Sequence, residues 1–339
     1  MTTATLIHHI GPGTAFVARV GPLALAVALI AGCATSGSES GSGSDSESEP
    51  AATSTAPTTA DDSGVLTFGG ETWSTKYGFG AAWVQVDPPI DQIVKIDAAT
   101  ETVTLAIDGG RAVTFTSDAA WVAINGEELQ KLDPESGEVL LSVPMRSNYL
   151  AAGHGSIWGP TRDGLVRVDD QTGEVLATIP IPDVGELTDV EVSDSAVWVT
   201  AKDTGMVARI DPPSNTVAAV IPTGDGAHDL AVDENGVWVA NYRAGTVSRL
   251  DELTGTVVAT IEDVGSGVGI DTSGDAVWVS FKARPDRPGG IYRIDPATNQ
   301  ATLAFEKSGW SYGVAYGDGA LWVSGTGQGT VTRFDLPAG

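Results

Sequence analysis

Hydrophobic and polar positions in this chain recur in blocks of about forty residues, each holding four short apolar runs. The clearest block reads Asp229-Leu230-Ala231-Val232-Asp233, then Gly236-Val237-Trp238-Val239-Ala240, then Thr246-Val247-Ser248-Arg249-Leu250-Asp251, then Val257-Val258-Ala259-Thr260-Ile261. Runs of about five β-branched or apolar residues, each bounded by Gly, Asn or Asp, predict strands and leave no room for a helix. A repeat near forty belongs to a helical pair or to a four-stranded propeller blade, and strands select the blade. One tryptophan marks each block, at Trp83, Trp121, Trp158, Trp198, Trp238, Trp278 and Trp322. Seven such units predict an all-β fold, a seven-bladed β-propeller of four-stranded blades.

A second marker keeps the same count. After each tryptophan comes a basic-apolar-Asp triplet: Lys95-Ile96-Asp97, Lys131-Leu132-Asp133, Arg167-Val168-Asp169, Arg209-Ile210-Asp211, Arg249-Leu250-Asp251, Arg293-Ile294-Asp295 and Arg333-Phe334-Asp335. Residues two apart on a strand share a face, so the cation and the Asp are expected to form an ion pair beside a turn that the Asp opens. Seven Asp spread round a ring do not supply the six to eight oxygens one calcium ion needs, so no metal is expected from them. The seven tryptophans read as core, each filling the wedge between neighbouring sheets.

Six repeats end in an outer strand, at residues 103–107, 139–143, 175–179, 217–221, 257–261 and 301–305. The seventh stops at Asp335-Leu336-Pro337-Ala338-Gly339 without one, and a bare edge there would be a liability. Val65-Leu66-Thr67-Phe68-Gly69 has the composition of the missing strand, so the N-terminal strand is expected to complete the last blade.

Residues 1–63 differ in kind. Residues 20–30 are an apolar stretch preceded by Arg19, short for a bilayer span and suited to the core of a secretory signal. It ends in Ile30-Ala31-Gly32-Cys33, which resembles the lipobox of bacterial lipoproteins, and Cys33 is the only cysteine. The resemblance implies lipidation of Cys33. Residues 34–63 are Ser, Gly, Thr, Pro and acid, too poor in apolar bulk to repay ordering, and are expected to be a disordered tether. The expected organisation is a lipoprotein signal peptide over 1–33, the tether over 34–63 and the propeller over 64–339. It places the head on the outer face of the cytoplasmic membrane or in the cell envelope, held by a lipid anchor, as a monomer.

Charge narrows the partners. Against 44 Asp and Glu stand 18 Lys and Arg, for a net charge of −26, which argues against nucleic acid as a ligand.

Strings such as Gly236-Val237-Trp238-Val239-Ala240-Asn241, Gly245-Thr246-Val247-Ser248-Arg249-Leu250-Asp251 and Thr254-Gly255-Thr256-Val257 resemble the YVTN-type propellers and their relatives, including streptogramin B lyase. The resemblance covers nearly all of residues 64–339. It implies the propeller fold; for function it leaves binding modules, scaffolds and a few enzymes open. In the lyase, a His, a Glu and a magnesium ion at the propeller mouth are held to be catalytic. Here two histidines follow the signal: His154 reads as a turn residue, and His228 alone falls at a mouth position, so that pattern is not met residue for residue.

A site is expected where equivalent positions stop being equivalent. Ten residues before each tryptophan, at the start of the innermost strand, stand Trp73, Arg111, Asn148, Thr188, His228 and Tyr312, with Ser266 taken as equivalent after a two-residue insertion in blade six. The remaining inner-strand positions read as Ala, Val, Leu or Gly, so this ring stands out and its mouth is the expected pocket. Trp310 and the long blade-six loop with Lys282, Arg284 and Arg287 open on the same face, where Arg146, Arg162, Lys202, Arg243 and Lys307 are interspersed with acids.

Three functions are compatible with this. The leading one is a non-catalytic surface lipoprotein whose mouth binds a protein, peptide or glycan of the envelope, without a cofactor. The alternative is a lyase or hydrolase using His228 with Asp229 or Glu186 as acid–base partners. The third is a sensory or assembly subunit beside a membrane complex.

Overall fold

The computed structural model describes residues 64–282, 289–307 and 309–337; the expected signal, Cys33, the tether, Arg284 and Arg287 lie outside them. The described residues form 28 strands in seven four-stranded antiparallel sheets, with no helix among them. Blade one runs Thr72–Gly78, Ala81–Val86, Gln92–Asp97 and Thr102–Asp108, each strand pairing with the next, and the five blades after it repeat that order. The first strands of neighbouring sheets pack on one another all the way round, blade seven against blade one, so the ring closes around them.

The seam lies where the strand count requires it. Val65–Thr67 is the fourth strand of blade seven and pairs with Thr330–Asp335 in the register Val65↔Thr332, Leu66↔Val331, Thr67↔Thr330. Leu66 is fully buried and joins Phe68, Trp322 and Val331 to Val84, Val94 and Ile96 of blade one. The strand therefore covers an edge and also joins the two ends of the chain through apolar area.

The seven tryptophans are core, none more than 5% exposed. Each sits directly opposite the cation of its own triplet: Trp83↔Lys95, Trp121↔Lys131, Trp158↔Arg167, Trp198↔Arg209, Trp238↔Arg249, Trp278↔Arg293 and Trp322↔Arg333. In six blades the cation lies over that ring, at 4.7 Å for Arg167 and 4.9 Å for Arg249. It then reaches the turn of the next blade. Arg249 donates to Pro296 O at 2.6 Å, Arg167 to Pro212 O at 2.7 Å, and Arg333 closes the circle on Ala98 O at 2.7 Å.

This corrects the expected ion pair. Among the described residues only Arg333 bonds the Asp of its own triplet, Asp335, at 2.9 Å. The cation is drawn to the tryptophan face and to carbonyls across the blade boundary, leaving the Asp to organise the turn. Asp133 Oδ1 accepts from Ser136 N at 2.7 Å and from the Ser136 hydroxyl at 2.8 Å, and Asp97, Asp169 and Asp251 hold their turns alike. His154 is the turn residue expected, at φ 52°.

Candidate functional site

The position ten residues before each tryptophan has a structural cause. The innermost strand carries a β-bulge there: its register slips between Gly110 and Ala112, Leu187 and Asp189, Ala227 and Asp229, and Gly267 and Gly269. In blades one and seven two residues are skipped, between Thr72 and Thr75 and between Ser311 and Val314. A bulge frees a residue from the ladder and re-aims its side chain, so in every blade but the third, whose inner strand pairs without a shift, the ring position falls at a bulge.

Trp73, Arg111, His228 and Tyr312, with Asn148 from blade three, line one central cavity of about 560 Å³. Blade three has only Ala151–Gly153 as its inner strand, so Asn148, Tyr149 and Leu150 ahead of it stand open to the cavity. Two members of the expected ring are placed elsewhere. The bulged residue of blade six is Val268, which lines the cavity, so no insertion separates blade six from the frame and Ser266 is not the equivalent position. Thr188 is bulged but turns away into the blade boundary, where its hydroxyl meets Thr200 at 3.1 Å and His228 O at 3.2 Å.

The walls are aromatic. Trp73 meets Tyr312 edge-on with centroids 4.8 Å apart, and the Tyr312 hydroxyl lies 3.2 Å from His228 Nε2. Trp73 Nε1 has no hydrogen-bond partner. Burial first, and then the Lys202 ammonium, push the His228 imidazole below its ordinary value against the pull of Asp189 and the Val268 backbone, so it is neutral at pH 7. A second cavity of about 230 Å³ shares Trp73, His228, Val268 and Tyr312 and adds Lys202, Tyr242, Lys282 and Trp310. Trp310 is 48% exposed with Lys282 Nζ 3.1 Å from its ring centroid. A third cavity, of about 800 Å³, shares Asn125, Asn148 and Tyr149 with the central one and runs out past Arg146, Arg162 and Glu186.

The floor of the central cavity corrects the expectation of an apolar inner strand. Lys76, Asp189, Asp229 and Asp271 line it, with Glu191 paired to Lys76. Each Asp accepts a backbone N–H from the next blade: Asp189 from Leu230 at 3.0 Å, Asp229 from Ile270 at 3.2 Å and Asp271 from Tyr316 at 2.8 Å. Burial raises all four carboxyls, Asp271 to about 6. The Asp189 carboxyl is raised well above its ordinary value, by burial first and then by the Asp229 charge beside it. Burial by itself would lower the Lys76 ammonium, but Glu191, Asp189 and Asp229 outweigh it and keep the charge. The strict two-residue alternation of a strand into a channel predicts residues such as Asp189 and Glu191 once the bulge is counted.

The alternative acid–base set is not assembled. Asp229 lines the same cavity as His228 but bonds Asp189 and Ile270, while Glu186 lines the neighbouring cavity. Arg111 is engaged by Asp91 at 2.7 Å and by Asp87 at 3.4 Å. Among the described residues no three His, Cys, Asp or Glu converge as a metal ion would require.

No protein-family model matches the sequence, and no curated protein does. Solved structures share the fold. A streptogramin B lyase is 14% identical, with a TM-score of 0.63 over 79% of this chain and 94% of its own. BamB from Moraxella catarrhalis is 15% identical, with a TM-score of 0.58 over 83% and 92%. A chain of the mitotic checkpoint complex is 12% identical, with a TM-score of 0.69 over 92% and 99%. At such identities the likeness establishes the propeller and does not choose among the functions it carries.

Proposed function

We propose that this protein is a lipid-anchored, extracytoplasmic propeller that binds an extended peptide or glycan strand of an envelope partner across its mouth. The observation that carries this is the succession of three cavities with shared walls, running from Trp310 and Lys282 through the bulge ring to Arg146 and Arg162. A groove with aromatic walls, scattered polar groups and an open course suits a linear ligand held at several points. The fold's neighbours include a lyase and an assembly component; of the two lyase-type partners of His228, Glu186 lines the neighbouring cavity and Asp229 accepts the Ile270 N–H, which supports binding over turnover. Attachment through Cys33 rests on the lipobox-like string and the polar stretch that follows it.

The test is a titration of the purified protein with panels of envelope peptides and oligosaccharides, read by tryptophan fluorescence and calorimetry. Trp73→Ala and Arg111→Ala are expected to weaken a binding ligand about tenfold or more, with Leu140→Ser on the outer rim as an indifferent control. Equal affinity in all three variants would place the ligand elsewhere.

A further inference from the structure

In a chain with 44 Asp and Glu against 18 Lys and Arg, the cavity of about 230 Å³ beside the central one is lined by Lys202 and Lys282 and by no acid. Most of its remaining wall is aromatic, from Trp73, Tyr242, Trp310 and Tyr312. No ion pair among the described residues involves either lysine. Asp203, next to Lys202 in the chain, is held by Arg243 at 3.2 Å, and Arg243 also holds Asp225 at 3.0 Å. Lys282 Nζ lies over the half-exposed Trp310 ring instead. Two like charges in one apolar-walled space focus a positive field into it.

The same walls limit what the anion is attached to. They offer charge and rings but few neutral polar groups, since the Tyr312 hydroxyl and His228 Nε2 already face each other at 3.2 Å. A sugar would bring several hydroxyls and leave most of them unpaired on apolar surface, which is costly. An Asp or Glu side chain would bring charge on a short stem and leave the rings uncovered. The last residue of a peptide, when its side chain is apolar, brings a carboxylate and apolar surface together.

We propose that this cavity receives the C-terminal residue of a peptide partner, its carboxylate at Lys202 and Lys282 and its apolar side chain on the aromatic walls. The assignment rests on the mouth being the binding site and names the residue that enters one end of it. The cavity shares Trp73, His228, Val268 and Tyr312 with the central one, so the peptide ahead of that residue leads over the bulge ring. The central cavity offers a carboxylate no free cation, because Lys76 is held by Glu191 and Arg111 by Asp87 and Asp91, so the terminus stays at the lysine end. Each lysine is a point charge with three donors, and hydrogen bonds between charged partners are the stronger class.

The experiment titrates the full-length protein with Nα-acetyl-alanyl-phenylalanine, its C-terminal amide, Nα-acetyl-alanyl-glycine and glucuronic acid, followed by calorimetry. The phenylalanine acid is expected to bind about tenfold or more tighter than its amide and than the glycine acid. Its affinity should fall as salt rises while that of the amide does not. Lys202→Met together with Lys282→Met, which keeps the stems and removes the charges, should erase the preference for acid over amide and leave amide affinity unchanged. Trp310→Ala should weaken acid and amide alike, several-fold. Equal binding of acid and amide, no binding of the acid, the glycine acid or glucuronic acid binding as tightly, an affinity indifferent to salt or to Trp310→Ala, or a preference that survives the double lysine variant would each overturn the assignment. If Arg111→Ala still weakens an envelope peptide or glycan in that event, the mouth remains the binding site and only the terminal residue is lost.

Discussion

Asp189 and Asp229 occupy equivalent places on adjacent blades, one residue after the bulge, and each accepts a backbone N–H from the blade beyond. The pair joins three blades at the channel wall. Its members are raised by burial, as are Glu191 and Asp271, the last to about 6. A raised carboxyl binds more protons folded than unfolded, so its contribution to stability is present below about 3.9 and is lost as pH rises through the folded value. His228, lowered by burial, works the other way and destabilises as pH falls below about 6.5. The turn acids Asp97, Asp133, Asp169, Asp211 and Asp251 are lowered by their turn hydrogen bonds, and what they contribute disappears as pH falls through their folded values. Four raised channel acids oppose one imidazole, so the melting temperature should rise from pH 7.5 to about 5 and fall below about 3.5. Calorimetry across that range decides it; a flat profile between pH 7.5 and 5 would show that the channel acids are not raised.

Trp238 and Arg249 form one unit. Trp238→Ala is expected to cost about 3 to 5 kcal/mol, since the ring is fully buried. Arg249→Ala removes the stacked guanidinium and its bonds to Asn235 O and Pro296 O, and should cost about 1 to 3 kcal/mol. Because the two touch, the double variant should depart from additivity by at least about 0.5 kcal/mol in urea denaturation. Strict additivity would mean the stacking contributes nothing.

The blade count, the tryptophan core and the completing strand were legible because period, apolar alternation and turn residues all point to one fold. The mouth ring was legible as a departure from that repetition, and Trp73, Arg111, Asn148, His228 and Tyr312 do meet in one cavity. Two things were hidden. Bulges shift which side chains face the channel, so Val268 took the place expected for Ser266, and Thr188 turned away into the blade boundary. Channel acids such as Asp189 and Asp271 are isolated single letters within apolar strands, and their proximity is a property of the ring, not of any local motif.

The seam should be a weak point in proportion to Leu66. Leu66→Ala removes a fully buried side chain at the junction of blades seven and one, and about 2 to 5 kcal/mol is expected. Leu253→Ala, at 74% exposure, should stay within about 0.5 kcal/mol. If both behave alike in thermal melts, the N-terminal strand does not close the ring in solution.

Membrane attachment is tested at Cys33. Cys33→Ala should release the protein from the membrane fraction or leave it unprocessed, because stable anchoring needs acyl chains on that residue. Wild-type processing and detergent partitioning in the variant would refute lipidation there.

His228 separates binding from catalysis. Its imidazole is neutral, buried with ring contacts to Tyr242 and Tyr312, within 3.2 Å of the Tyr312 hydroxyl, and its neighbour Asp229 accepts the Ile270 N–H. A general acid or base needs a proton path to substrate and a partner that restores its charge state, and its removal costs about a hundredfold or more in rate. A hydrogen-bonding wall residue needs only shape and one polar atom. His228→Gln should therefore weaken ligand binding by about 1 kcal/mol, and Tyr312→Phe by a similar amount, with the double variant little worse than either because the same contact is lost. Turnover of a linear or cyclic depsipeptide that vanishes in His228→Gln, with the fold retained by circular dichroism, would make the mouth an active site instead.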